Sequence, residues 1–160
     1  MSYSIHEKSL VSRKVRILIN ALADCAKAGV RSCFVTKKMM TGIALYLEFG
    51  KFTKENWNAY SRISDAARLL RDSGDPNWKS HVTFEHARPL LAMYRMMLDE
   101  RATLTLERAV VIIGEYPPVL ITKEEERRMA ARGFRESGVP EERYQGIAMA
   151  GFSFRSDIGR

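Results

Sequence analysis

Apolar residues recur three or four positions apart along much of the chain, and this period constrains the fold more than any other feature. In residues 12–28, Val15, Ile19 and Leu22 fall on one helical face, while cations and polar residues take the opposite face. Gly29 follows, where a left-handed residue commonly ends a helix. This segment is predicted to be an amphipathic helix.

Two further helices are predicted from the same period. One begins at a Thr36 cap and ends at Gly50, and its apolar residues nearly encircle it, as in a buried element. The other begins at Thr53 and carries one apolar stripe as far as Gly74, where a cluster of turn residues follows.

The second half of the chain adds helices with recognisable starts. Pro89 fits the first turn of a helix, because its missing amide hydrogen has no partner there in any case. A helix from Thr103 or Thr105 through Ile113 is favoured over a strand, although its residues are β-branched. Thr122 and Glu125 have the spacing of a capping box and predict a helix over residues 123–132.

Short segments near 30–35, 81–86 and 119–121 have the residues of strands or extended connections. The predicted fold is therefore mainly α: a compact bundle of five to six helices, with at most a small two- or three-stranded β element. A length of 160 residues fits one domain, so residues 1–160 are predicted to form a single helical domain. Residues 147–160 are glycine-rich and are predicted to be an irregular tail.

Several classes of protein are disfavoured by the sequence. The longest apolar stretches are shorter than the roughly 20 residues that cross a bilayer, and the N-terminus lacks the pattern of a secretion signal. A cytoplasmic location is therefore predicted, with Cys25 and Cys33 as buried reduced thiols. Neither a phosphate loop nor a dinucleotide fingerprint is present, and we predict no cofactor and no metal.

The segment from Glu85 to Leu90, with His86 and Pro89, resembles the opening motif of His-Asn-His nucleases. This resemblance implies that His86 acts as a general base, and that a later motif supplies an asparagine and a metal-binding histidine. The chain has no histidine after His86 and no asparagine after Asn77, so the second half of the site is missing. A hydrolase centred on Glu85 and His86 stays an alternative to a local packing role for His86.

Basic residues outnumber acidic ones, 26 to 19, and the net charge is +7. Such an excess favours a polyanionic partner, because attraction to phosphate is long-ranged and independent of sequence. The cations concentrate near the starts of two predicted helices, where free amides also attract anions. They are Lys8, Arg13, Lys14 and Arg16 around the start of the first helix, and Lys37 and Lys38 after the Thr36 cap of the second.

These patterns lead to one hypothesis and its rivals. The leading hypothesis is a non-enzymatic nucleic-acid-binding protein with a regulatory or accessory role, in which the two basic clusters contact phosphate; DNA and RNA both stay open. The first rival is a protein–protein interaction module, or a homo-oligomer, that binds through the helix around Met93 or the aromatic tail at Phe152. The second is the hydrolase centred on Glu85 and His86.

Overall fold

A computed structural model describes residues 13–51, 57–152 and 154 of the chain. In these residues seven α-helices accompany one two-stranded antiparallel sheet, so the predicted mainly helical fold with a small β element is confirmed. The helices are α1 (Arg13–Lys27), α2 (Phe34–Phe49), α3 (Asp65–Asp72), α4 (Leu90–Asp99), α5 (Leu106–Gly114), α6 (Lys123–Ala131) and α7 (Pro140–Arg143). The strands are β1 (Val82–Glu85) and β2 (Val119–Thr122).

Backbone contacts divide the chain into two compact units. Unit 1 comprises the described residues of Met1–Glu55 and Leu90–Pro117, and unit 2 comprises those of Asn56–Pro89 and Pro118–Arg160. Each unit is a set of residues whose backbone contacts are mainly with one another. The single domain over residues 1–160, with its irregular tail from 147, stays a prediction.

Unit 1 is built from α1, α2, α4 and α5, which pack on one another around an apolar core. The residues that the helical period assigned to the inner face of α1, Val15, Ile19 and Leu22, are fully buried. Met93 and Met97 of α4 are buried in the same core. The methionines of this helix that point inward therefore fill the core and do not form a partner surface.

The start of α2 differs from the prediction. The helix begins at Phe34, and the N-cap is Cys33 rather than Thr36. The Thr36 hydroxyl accepts the Cys33 N–H at 2.9 Å, while the Cys33 side chain accepts the Thr36 N–H, which completes a capping box. Residues 30–35 consequently form no strand, because the capping box starts the helix inside that segment.

Unit 2 contains the sheet and the helices α3, α6 and α7. The strands β1 and β2 pair antiparallel, with Val82 opposite Thr122 and Glu85 opposite Val119. All four residues of β2 are buried. The helix α6 follows β2 directly, which fixes its first turn at the end of the sheet.

The long helix predicted from Thr53 to Gly74 is wrong over the described part of its first half; Thr53 itself lies outside the described residues. Residues 57–59 form a short 3-10 helix, and α3 begins only at Asp65. Between them the chain runs extended beside β2, where the Ser64 N–H donates to the Leu120 carbonyl at 2.9 Å. Pairing with this strand satisfies backbone groups that a helix would otherwise have satisfied internally.

Aromatic packing explains the apolar stripe that suggested a helix there. Trp57 and Tyr60 both pack edge-on against Phe84 of β1, with ring centroids 4.8 and 4.9 Å apart. The Tyr60 hydroxyl also donates to the Pro118 carbonyl at 2.5 Å. These residues are therefore apolar because they cover the sheet of unit 2.

Candidate functional site

The first basic cluster lies on the first turn of α1. Arg13, Lys14 and Arg16 are exposed, while Val15 between them is buried. The first turn of α1 has no acidic residue. Within the described residues no carboxylate forms an ion pair with these three cations. We call them the α1 cations; Lys8, which was predicted to join them, lies outside the described residues.

The second basic cluster lies in the first turns of α2. Lys38 is exposed, and its Nζ atom lies 5.4 Å from the ring centroid of Phe34, one helical turn earlier. Lys37 is half-buried. The neighbours of Lys38 are apolar: the side chain of Phe34 is 74% exposed and that of Val35 is 60% exposed.

The two basic clusters both belong to unit 1 but lie on different helices. The α1 cations lie at the beginning of α1. Residues 28–33 connect the other end of α1 to the start of α2. With a rise of 1.5 Å per residue, the first and last turns of α1 are about 20 Å apart along the axis. The first cluster therefore lies at the opposite end of α1 from the connection that leads to the second.

The backbone amides at the start of α2 are partly occupied. The capping box pairs the Cys33 N–H with the Thr36 hydroxyl and the Thr36 N–H with the Cys33 side chain. Fewer free amides are then left for a bound anion than an uncapped helix would offer. Any contact of this cluster with phosphate therefore depends mainly on lysine side chains.

The Cys33 thiol is exposed, which corrects the prediction of a buried cysteine; Cys25 is half-buried and both are free. The Thr36 N–H, followed by the Thr36 hydroxyl, holds the pKa of this thiol below its usual value of 9.0. The hydroxyl lies 3.9 Å from the sulfur. Hydrogen bonds to the charged form favour the thiolate.

Glu85 and His86, the residues of the nuclease-like motif, lie where β1 ends. Arg143 of α7 donates to the Glu85 carboxylate at 2.5 Å and to the main-chain carbonyls of His86 and Ala87 at 2.6 and 2.9 Å. The Arg143 side chain is 1% exposed. This buried arginine was missed by sequence reasoning, since nothing in the local pattern around residue 143 links it to Glu85.

The surroundings of Glu85 contain further charged side chains. A pocket of 210 Å³ beside it is lined by Glu126, Arg127, Arg135 and Arg143, among others. Among the residues described, no group of three His, Cys, Asp or Glu side chains is arranged to hold a metal ion. At this junction Arg143 and Glu85 form an ion pair.

His81 is exposed in the 3-10 helix Trp78–His81 and is not part of β1. The strand predicted near 81–86 is therefore shorter, because β1 covers only Val82–Glu85. His81 lines an open pocket of 480 Å³ at the start of α6, together with Asp75, Lys123 and Arg128. Pockets of this size accept small molecules in many proteins.

The comparisons with known proteins give no further guidance on this arrangement. No family model, no curated protein and no solved structure matches the chain. No described helix is both long and apolar enough to cross a membrane.

Proposed function

We propose that the protein binds nucleic acid without chemical turnover, in a regulatory or accessory role, and that unit 1 carries the binding surface. One observation supports this function above all others. Arg13, Lys14 and Arg16 extend from the first turn of one helix, exposed and without ion-paired carboxylates in the described part of the chain. Cations that the protein's own carboxylates do not neutralise are available to phosphate.

Electrostatics explains how such a surface binds. Each phosphate that a lysine or arginine neutralises releases condensed counterions into solution, and this release drives binding. The affinity then falls with salt, with a logarithmic slope of about −0.9 per contact on duplex DNA and about −0.7 on a single strand. The net charge of +7 adds long-range attraction to any polyanion.

The rival functions receive less support from the side chains. The Glu85 carboxylate is bound by a buried arginine, which favours a structural role over hydrolysis. Met93 and Met97 are buried in the core of unit 1, so they are not available as an adaptable partner surface.

A charge-matched pair of variants tests the proposal. In the test variant Arg13, Lys14 and Arg16 are replaced by Glu. In the control, three exposed cations of unit 2, Lys79, Lys123 and Arg135, are replaced by Glu. Each replacement lowers the net charge by two, so both variants change from +7 to +1. Any difference between them therefore reports position rather than total charge.

Fluorescence anisotropy with labelled single-stranded and duplex oligonucleotides, over a range of salt concentrations, is the measurement. We expect the wild-type protein to show a negative slope of log affinity against log salt. The test variant should reduce the magnitude of the slope by about 2, and the control by less than about 1. A wild-type slope near zero, or equal losses in the two variants, would contradict the proposal.

A further inference from the structure

Phe34 is the most exposed large apolar side chain in the described residues, at 74%. Burial of a phenylalanine side chain stabilises a folded protein, so an aromatic ring left in water at a helix start is a feature to explain. Val35 beside it is 60% exposed, and Val30 in the preceding connection is also exposed. Phe34 and Val35 are adjacent in the first turn of α2, and Val30 lies four residues before Phe34.

One cation lies against the Phe34 ring, and a second precedes it closely in sequence. Lys38 lies one helical turn after Phe34, with its Nζ atom 5.4 Å from the ring centroid. Arg31, three residues before Phe34, is exposed as well. We call Val30, Arg31, Phe34, Val35 and Lys38 the Phe34 surface. An occupant that matches it must offer a flat apolar face and negative charge close together.

We propose that the Phe34 surface binds single-stranded nucleic acid, with an unpaired base stacked on the Phe34 ring and neighbouring phosphates on Lys38 and Arg31. This inference rests on the function proposed above and assigns the kind of nucleic acid that is bound. Bases stack on aromatic side chains in proteins that bind single strands, and cations nearby track the backbone. In a duplex, both faces of each base are covered by its neighbours, so the ring has nothing to stack on.

The chemistry of the Phe34 surface also argues against other occupants. Stable protein interfaces bury about 800 Å² on each partner, and one phenylalanine with two valines covers far less. A second copy of this chain would bring its own net charge of +7 against the same cations. One or two bases with their phosphates match both the size and the sign of the surface.

Substitutions at Phe34 test the stacking. Phe34→Ala should weaken binding to a single strand by at least about fivefold, the lower limit of one stacked base, and change duplex binding less than twofold. Phe34→Trp should retain single-strand binding, since the larger ring still stacks. Leu69→Ala is the matched control, because Leu69 is 67% exposed but lies on α3 of unit 2.

The Cys33 thiol offers a second measurement that does not depend on any variant. It is exposed and directly precedes Phe34. Saturating single-stranded oligonucleotide should slow its alkylation at least about threefold, measured by peptide mass so that Cys33 and Cys25 are resolved. Duplex at equal phosphate concentration should slow it less.

The outcomes separate this inference from the proposed function. If the α1 cations govern the salt slope but Phe34→Ala leaves single-strand binding unchanged, the stacking proposal is wrong and nucleic-acid binding stands. If neither strand form binds with a salt slope, both proposals are overturned. If Phe34→Ala instead abolishes binding to an acidic peptide or to anionic vesicles while single-strand binding persists, the occupant is misassigned and the inference is overturned.

Discussion

The guanidinium of Arg143 donates a hydrogen bond to the carboxylate of Glu85 at 2.5 Å, from a side chain that is 1% exposed. The same guanidinium donates to the carbonyls of His86 and Ala87. One arginine on α7 therefore satisfies a carboxylate and two main-chain acceptors where β1 ends. It joins two segments of unit 2 that are 56 to 58 residues apart in sequence.

Replacing Arg143 by Met should lower the free energy of unfolding by about 3 kcal/mol. Removing one partner of a buried ion pair costs about 3–5 kcal/mol, and the lower limit applies because the Glu85 side chain is 20% exposed. Urea denaturation followed by circular dichroism measures the loss.

Arg127→Met is the control for this substitution. Arg127 pairs with Glu124 on the surface, where its side chain is 73% exposed, and exposed pairs contribute about 0–1 kcal/mol. The control should therefore lose less than about 1 kcal/mol. Equal losses in the two variants would show that the buried pair contributes no more than a surface pair.

The capping box of α6 shows how far sequence reasoning reaches. Thr122 and Glu125 make the predicted reciprocal bonds: the Thr122 hydroxyl accepts the Glu125 N–H at 3.0 Å, and the Glu125 carboxylate accepts the Thr122 N–H at 2.8 Å. The same carboxylate accepts the Ser64 hydroxyl at 2.6 Å. Ser64 is 61 residues away, so no local pattern indicates this contact.

The region before α3 shows where local reasoning fails. Trp57, Tyr60 and Ile63 have helical spacing, and within their own segment nothing contradicts a helix. Their partner is β2, whose Leu120 pairs with Ile63 although it lies far along the chain. Tertiary pairing outweighs the local period there, because it satisfies the backbone and buries the aromatic rings at once.

Part of the candidate nucleic-acid surface can likewise be predicted from sequence, and part cannot. The cations of α1 and α2 can be recognised from sequence, because charge and helical position are local properties. The exposure of Phe34 cannot be recognised from sequence, since it depends on α2 starting at that residue. Cysteine is not among the preferred N-cap residues, so the sequence favours Thr36 as the cap and predicts a helix that excludes Phe34.

Tyr144 makes unit 2 sensitive to alkaline pH. Burial, followed by the nearby negative charge of Glu85, raises the pKa of its phenol above the usual value of 10.0. Its hydroxyl is buried and has no hydrogen-bond partner among the described residues. The folded state thus favours the neutral phenol, so the stabilisation is fully present below pH 10.0 and is lost as the pH rises above it.

Tyr144→Phe should therefore be neutral or stabilising at pH 7, because it removes an unpaired buried hydroxyl while the ring keeps its stacking on Phe154. Above pH 10 the variant should lose less stability than the wild-type protein, since it has no phenol there to ionise. Urea denaturation of both proteins at pH 7, 9 and 10.5 measures the difference. A difference that stays constant with pH would contradict the argument.

The Cys33 thiol should titrate below its usual pKa of 9.0, because the Thr36 N–H donates to it and the Thr36 hydroxyl, whose proton is shared with the Cys33 carbonyl at 3.0 Å, lies 3.9 Å from the sulfur. Thr36→Val removes the hydroxyl but keeps the N–H, so the pKa should rise part of the way back, and Thr36→Ser should leave it low. The rate of Cys33 alkylation by iodoacetamide as a function of pH, resolved by peptide mass, gives the midpoint in each protein. Coincident midpoints for the valine and serine variants would show that the hydroxyl does not stabilise the thiolate, and a wild-type midpoint at 9.0 would remove the role of Thr36 altogether.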